Sequence, residues 1–265
     1  MDLLTTLKPL YALSGFVVGA LVGLTGVGGG SLMTPLLVLL FGVHPTTAVG
    51  TDLLYAAATK TVGTGVHGFK RTVQWNIVGR LASGSVPATA ATLWLLSQQH
   101  DKHAASADSL VTTALGIALI VTAVAVLFRK TIVAFVLART GAMTPRYEIG
   151  LTILLGAVLG VLVSLTSVGA GALGMTVLLI LYPKTDIAKL VGSDIAHAVP
   201  LTLVAGIGHS FLGAINWHIL GSLLVGSIPA IVVMSIVSAR ASDTAVRVAL
   251  AVVLVMVCVR FWFFG

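Results

Sequence analysis

Asp52, Lys60, Asp194 and His197 stand within stretches otherwise too apolar for water, and a charge placed there has to be held by something. An ionisable side chain at membrane depth costs at least about 2.5–3.5 kcal/mol. Such groups serve as counter-charges for a solute, as partners for one another, or as carriers of a proton. A second kind of chemistry comes from glycine. The stretch GLTGVGGGSLMTPLL, Gly23 to Leu37, interrupts an apolar run with consecutive glycines, which are poor helix formers and admit positive φ at low cost. Non-helical backbone at membrane depth is tolerated only where protein buries it or where it lines a watery cavity. The break also starts a new helix at Ser31, whose first amides lack intrahelical partners and form the positive pole of its dipole. Such a terminus attracts anions. A phosphate loop of Walker type is excluded, because the run lacks the GK[ST] ending and no strand precedes it.

The break occurs twice. SLTSVGAGAL, Ser164 to Leu173, repeats it with a new helix starting at Ala172. Candidate substrate-binding positions are therefore Thr25, Gly26, Gly28, Gly29, Gly30 and Ser31 in the first copy, and Thr166, Ser167, Gly169 and Gly171 in the second. The hydroxyls of Thr25, Ser31, Thr166 and Ser167 could donate to an oxyanion without adding charge. Thr51, Ser193, Lys60 and His197 join the binding candidates.

Asp52 and Asp194 are candidates for coupling or gating, and each reads two ways. They cap helix N-termini, or they brace loops or take a coupling proton while Thr51 and Ser193 face the pore. Lys60 is a substrate counter-charge or gate, or it pairs with a distant acid. His67 and His209 lie at the far ends of equivalent helices, as interfacial anchors or as a proton-coupling pair. Trp75 and Trp217 read as belt anchors, and Arg80 is able to snorkel to the surface.

The elements that position these groups follow from composition. With 57% hydrophobic and 9% charged residues over 265 positions, the apolar surface exceeds what a soluble core of ordinary size can hide. Long apolar runs select membrane-spanning helices rather than a barrel. The net charge of +7 would suggest nucleic acid in a soluble protein. Here the cations cluster in short loops, as in Phe69 to Arg71 and between Arg129 and Arg146, the mark of cytoplasmic loops in a multi-pass protein of the cell membrane. Cys258 is the lone cysteine, which leaves no thiol cluster for metal or redox chemistry. The opening MDLLTTLKPLYAL makes a poor signal peptide and is read as mature sequence.

The chain is written twice. VGTDLLYAA falls on VGSDIAHAV at an offset of 142, and the register continues through His67 and His209, Phe69 and Phe211, Trp75 and Trp217, and GSVPA and GSIPA. Upstream the offset is 141. Helices are expected over 10–27, 31–41, 46–67, 75–97 and 109–128, and again over 148–168, 172–182, 187–209, 217–238 and 244–263. Gly15, Gly19 and Gly23, like Gly156, Gly160 and Ser164, share one helix face and suit close helix packing. A segment of about 11 residues covers only about half of a 30 Å hydrocarbon core, so it is a half-helix. The loop from His67 to Gln74 carries two cations, whereas its mate from His209 to Asn216 carries no Lys or Arg. That asymmetry favours inverted over parallel repeats, with both termini outside.

The expected fold is an all-α polytopic membrane protein with two homologous halves in inverted orientation. Each half has a broken or re-entrant hairpin plus three transmembrane helices. Residues 1–130 form the first repeat, 131–147 a basic cytoplasmic connector, and 148–265 the second repeat.

GVGGGSLMTPLL, the VGTD and VGSD pair, and the GSxPA element of each half together resemble the TauE/SafE sulfite exporter family, also called the toluene sulfonate uptake permease family, over essentially the whole chain. The resemblance implies an integral membrane carrier for small sulfur-containing or organic anions such as sulfite, thiosulfate, sulfonates or sulfoacetate. The second copy departs from the pattern, with Ser167 and Ala170 for Gly26 and Gly29 and Thr176 for Pro35, so the two sides need not contribute equally.

The expectation is a secondary transporter working by alternating access, passive or proton-coupled, with its anion held at the two half-helix N-termini. It needs no cofactor or metal, and its partners are a small anion and the bilayer rather than nucleic acid. Association of two subunits stays open. An anion channel shares the dipole-lined site. An intramembrane enzyme is disfavoured, because the acids repeat with the halves and no metal-spaced or Ser/His cluster appears.

Overall fold

In the computed structural model the described residues are 9–25, 30–69, 71–100, 104–139 and 144–237, and all regular structure among them is helical. The helices are α1 Pro9–Thr25, α2 Gly30–Phe41, α3 Pro45–Phe69, α4 Trp75–His100, α5 Ala104–Leu127, α6 Arg129–Leu137, α7 Pro145–Thr166, α8 Ala172–Leu181, α9 Ile187–Phe211 and α10 Trp217–Val237. The helix expected over 244–263 lies outside the described residues. Four helices are long and apolar enough to cross a membrane by length and composition: Ser109–Leu127, Pro145–Thr166, Ile187–Phe211 and Trp217–Met234. The chain folds as a polytopic all-α membrane protein. Phe69 and Phe211, and Trp75 and Trp217, are repeat mates that all lie exposed on the outer surface.

Helix α6 begins two residues before the stretch read as a connector and runs into it, and none of its residues is fully buried. The short apolar run Thr131 to Leu137 drives it, too brief to stand out beside the flanking cations.

The second break is a real interruption of the helix. There Ser167 closes α7 in a left-handed conformation (φ 58°) and Gly169 follows at φ 115°, so the helical ladder cannot continue. Residues 26–29, which make up the first break, lie outside the described residues.

The packing is reciprocal to an unusual degree. A Cβ on Gly15 would strike the backbone of Leu223, and one on the mate Gly156 would strike that of Leu81, itself the mate of Leu223. Gly19 meets Ser227 as Gly160 meets Ser85, and Gly226 meets Ala12 as Gly84 meets Ile153. Thus α1 lies in backbone contact with α10, and α7 lies likewise on α4. Each half lends its first helix to the other half, and glycine is required because no side chain fits between the backbones.

Helices α3 and α9 are repeat mates, and they run antiparallel. Gly206 packs on Leu54 while Gly63 faces Ile195. Midway between those contacts α3 has reached residues 58 and 59 and α9 residues 200 and 201, which are again mates. Lys60 therefore sits within a turn of the level where the two halves cross. The loops after these helices match as well, with Arg71 at φ 52° and its mate Gly213 at φ 69°. The half that uses arginine there carries a penalty of roughly 1–2 kcal/mol that the glycine avoids.

Candidate functional site

Asp52 is the eighth residue of α3 and Asp194 the eighth of α9, so neither caps its own helix. Both side chains are buried. Asp52 reaches across to α2, where its Oδ2 accepts from the backbone N–H of Thr34 at 3.1 Å and from the Thr34 hydroxyl at 2.5 Å. Asp194 reaches the equivalent half-helix α8, where its Oδ1 would sit 2.6 Å from a Cβ on Gly174. Each carboxylate therefore lies against the first turns of the half-helix in its own repeat.

The loops are held by other side chains. The Thr51 hydroxyl accepts from the amide of Asn216 at 3.0 Å, and the Ser193 hydroxyl accepts from the amide of Gln74 at 2.8 Å. Gln74 and Asn216 are mates, as are Thr51 and Ser193, so each half clasps the other's loop by one hydrogen bond. Gly50 and Gly192, the preceding residues, let the loop backbones of Ala214 and Thr72 come close. The sequence assigned loop bracing to the acids and a pore-facing role to the hydroxyls. The observed contacts give loop bracing to the hydroxyls, because a neutral hydroxyl satisfies a buried loop amide without bringing a charge.

Lys60 is 4% exposed, and its charge is felt by both Asp52 and Asp194. No direct ion pair to either carboxylate forms among the described residues. Arg129, at the start of α6, is a second cation facing Asp194. It had been counted among the loop cations, and only the tertiary approach of α6 to α8 turns it inward.

His197 lies at the same crossing, fully buried, with Nε2 2.8 Å from Ser85 Oγ. Its mate Tyr55 faces Ser227, the mate of Ser85, although the two hydroxyls stop short of a hydrogen bond. The serines are the second residues of GSVPA and GSIPA, and that repetition was the signal by which they could have been found.

The second break supplies the remaining parts. Thr166 closes on itself, donating to Leu162 O at 2.7 Å and accepting from the Val168 amide at 3.1 Å, so its hydroxyl shapes the turn. The Ser167 hydroxyl is buried without a partner and lies near Asp52 of the opposite half, short of hydrogen-bond geometry. The amides of Leu173 and Gly174 turn back on Gly169 O, whereas those of Gly171 and Ala172 take no backbone acceptor among the described residues. Gly169 and Gly171 thus stand where the amides are open.

In the first half Thr25 ends α1, and Gly30 and Ser31 begin α2. Gly26, Gly28 and Gly29 lie outside the described residues.

The histidine mates diverge. His209 is fully buried with Nε2 2.9 Å from Ser164 O, so that nitrogen carries the hydrogen and supports the carbonyl end of α7. His67 is only half-buried and sits at 2.9 Å from Thr72 Oγ1 in its own loop. Arg80, read as a snorkelling cation, forms an ion pair with Glu148 at 3.2 Å and donates to Tyr182 OH at 3.1 Å. Among the described residues no group of three or more His, Cys, Asp or Glu could hold a metal ion.

Buried charges at a crossing of two helical repeats, beside a broken helix with open amides, belong to a multi-pass membrane transporter. A family model described as sulfite exporter TauE/SafE matches residues 11–261, and the chain belongs to that family. It is 36% identical over 250 residues to the probable membrane transporter protein YjnA of Bacillus subtilis, covering 92% of this chain and 95% of that one. A shorter match of 70 residues, 40% identical and covering 26% of each chain, links it to the probable membrane transporter protein YunE of the same organism. No solved structure matches it.

Proposed function

We propose that this chain is a secondary transporter of small sulfur-containing or organic anions, of the sulfite, thiosulfate, sulfonate or sulfoacetate type, in the cell membrane. The observation that carries the reading is Lys60, a buried cation at the level where α3 and α9 cross, flanked by Asp52 and Asp194 and without a direct ion pair among the described residues. Asp52 and Asp194 balance this cation at a distance, and because neither holds it in a direct ion pair it is available to an entering anion.

The anion is held between Lys60, the Ser167 hydroxyl and the open amides of Gly171 and Ala172. The first-half break contributes in the same way. This is the arrangement of transporters whose discontinuous helices aim positive poles at an anionic solute. The antiparallel run of the mates α3 and α9 supports inverted repeats, because an axis along the membrane normal would leave mates parallel. Alternating access then follows from the halves exchanging conformations about the crossing.

The test is thermal unfolding of the purified chain with sulfite, thiosulfate, sulfonates and carboxylates. A solute present at 100 times its Kd stabilises the folded state by about 2.7 kcal/mol. At least one sulfur oxyanion is expected to raise Tm in the native chain, and neither Lys60→Met nor Gly171→Val is expected to respond. A panel that leaves Tm unmoved, or variants that respond as the native chain does, would overturn the assignment.

A further inference from the structure

We propose that Asp194, and not its repeat mate Asp52, takes up a proton as the transporter binds its anion, with Lys60 turning from Asp194 to the anion in the same step. This rests on the anion-carrier reading above and adds which group exchanges the proton.

The first premise is charge count. Among the described residues the charges that act on one another here are the buried Asp52, Asp194 and Lys60 and the half-buried Arg129, two negative and two positive, which balance without a solute. Adding an anion leaves an uncompensated negative charge in a medium that penalises it heavily. A proton arriving from the water on the side to which the site is open restores the balance. No bond of the anion changes.

The second premise is that the carboxylates are held differently. Asp52 Oδ2 accepts two hydrogen bonds from Thr34, one of them from a backbone N–H that can only donate. That contact favours the ionised form whatever Lys60 does. The mate of Thr34 is Met175, which has no hydroxyl. Oδ1 of each acid is buried and unpartnered, but only Asp52 accepts hydrogen bonds on its other oxygen; Asp194 accepts none among the described residues and rests on charge alone. When Lys60 leaves, Asp194 loses one of its two supporting cations, and Arg129 at the half-buried start of α6 is the one that remains.

The surroundings of Asp194 leave few other proton acceptors. Helix α3 presents Lys60 and Asp52, and α6 presents Arg129. On α9 itself His197 uses Nε2 on Ser85 and keeps Nδ1 buried without a partner, so among the described residues it is the one rival acceptor on this helix face, and the carboxyl band separates it from Asp194. On α4 and α7, Arg80 and Glu148 pair with each other. Helix α8 carries no ionisable side chain. His209 already uses one ring nitrogen on Ser164 O, and it lies near the other end of α9.

The experiment uses the full chain in lipid and a sulfonate whose own charge does not change over the pH range scanned. Proton uptake on binding is read from the pH change of a weakly buffered suspension. The protonated carboxyl band is read by infrared difference spectroscopy on adding the anion. About one proton per monovalent anion is expected, with binding tightening as pH falls. The band is expected to vanish in Asp194→Asn, which should still bind the sulfonate, and to persist in Asp52→Asn.

Binding without proton uptake, a band that survives Asp194→Asn, or a band lost in Asp52→Asn would overturn the assignment while leaving the carrier reading intact. Should Asp194→Asn not fold, the native band and its fate in Asp52→Asn decide the matter. Absence of any anion binding by the native chain would remove the carrier reading and this step with it.

Discussion

The two half-helices make the most instructive comparison in the molecule. Asp52 against α2 and Asp194 against α8 are products of one repeated sequence, at equal depth in mated helices. Yet Thr34 holds the first by hydrogen bonds, whereas Lys60 and Arg129 hold the second by charge. The scaffold around them kept its symmetry, and the partners of the two carboxylates did not. Close backbone contacts tolerate only glycine and therefore resist divergence. A polar position in a cavity accepts any group that balances its neighbours.

The sharpest way to break the comparison is to remove the cation that the halves share. Lys60→Met should leave Asp194 poorly compensated and cost about 3–5 kcal/mol of folded stability or anion affinity. In a transport assay that is a loss of more than a hundredfold, and the mate substitution Thr202→Val should cost far less. Near-native flux in Lys60→Met would mean the asymmetry is incidental.

Next come the contacts that remain symmetric. Gly84→Val and Gly226→Val each push a side chain into a facing backbone, and both should destabilise by at least about 1–3 kcal/mol. Similar falls in Tm are expected, and one tolerant member would show that the scaffold has diverged too.

Thr34→Val leaves Asp52 without its hydroxyl donor and should cost about 1–3 kcal/mol, whereas Met175→Leu at the mated position should cost under about 1.5 kcal/mol. Equal losses would erase the proposed difference between the carboxylates.

Thr51→Val and Ser193→Ala should each cost about 0.5–1.5 kcal/mol, because each removes one neutral hydrogen bond to a loop amide. The smallest effect is expected for Arg80→Gln, which removes a partly exposed ion pair worth about 0–1 kcal/mol and should do less at high salt.

Local signals were the legible ones. The helices, the broken segments and the twofold repeat could be read from the chain, because apolar run length, consecutive glycines and internal similarity are written in neighbouring residues. Lys60 and His197 stood out for the same reason, as polar groups without local company. Arg129 was misfiled with the loop cations and Thr34 passed unnoticed, since neither is unusual among its neighbours. Thr51 and Ser193 were recognised as a pair but given the acids' part, because a capping carboxylate and a bracing hydroxyl look alike until the loop amide is in place.

The sequence by itself determined a helical membrane protein of two related halves, each with an interrupted segment and few buried charges. Those facts follow from transfer free energy and backbone conformational preference, which act residue by residue. Tertiary structure alone decided that α3 and α9 cross antiparallel with Lys60 beside the crossing, that each half clasps the other's loop, and that two mated carboxylates live in different company. Those relations join residues far apart in the chain, and close packing together with electrostatic balance selects them only once the helices have met.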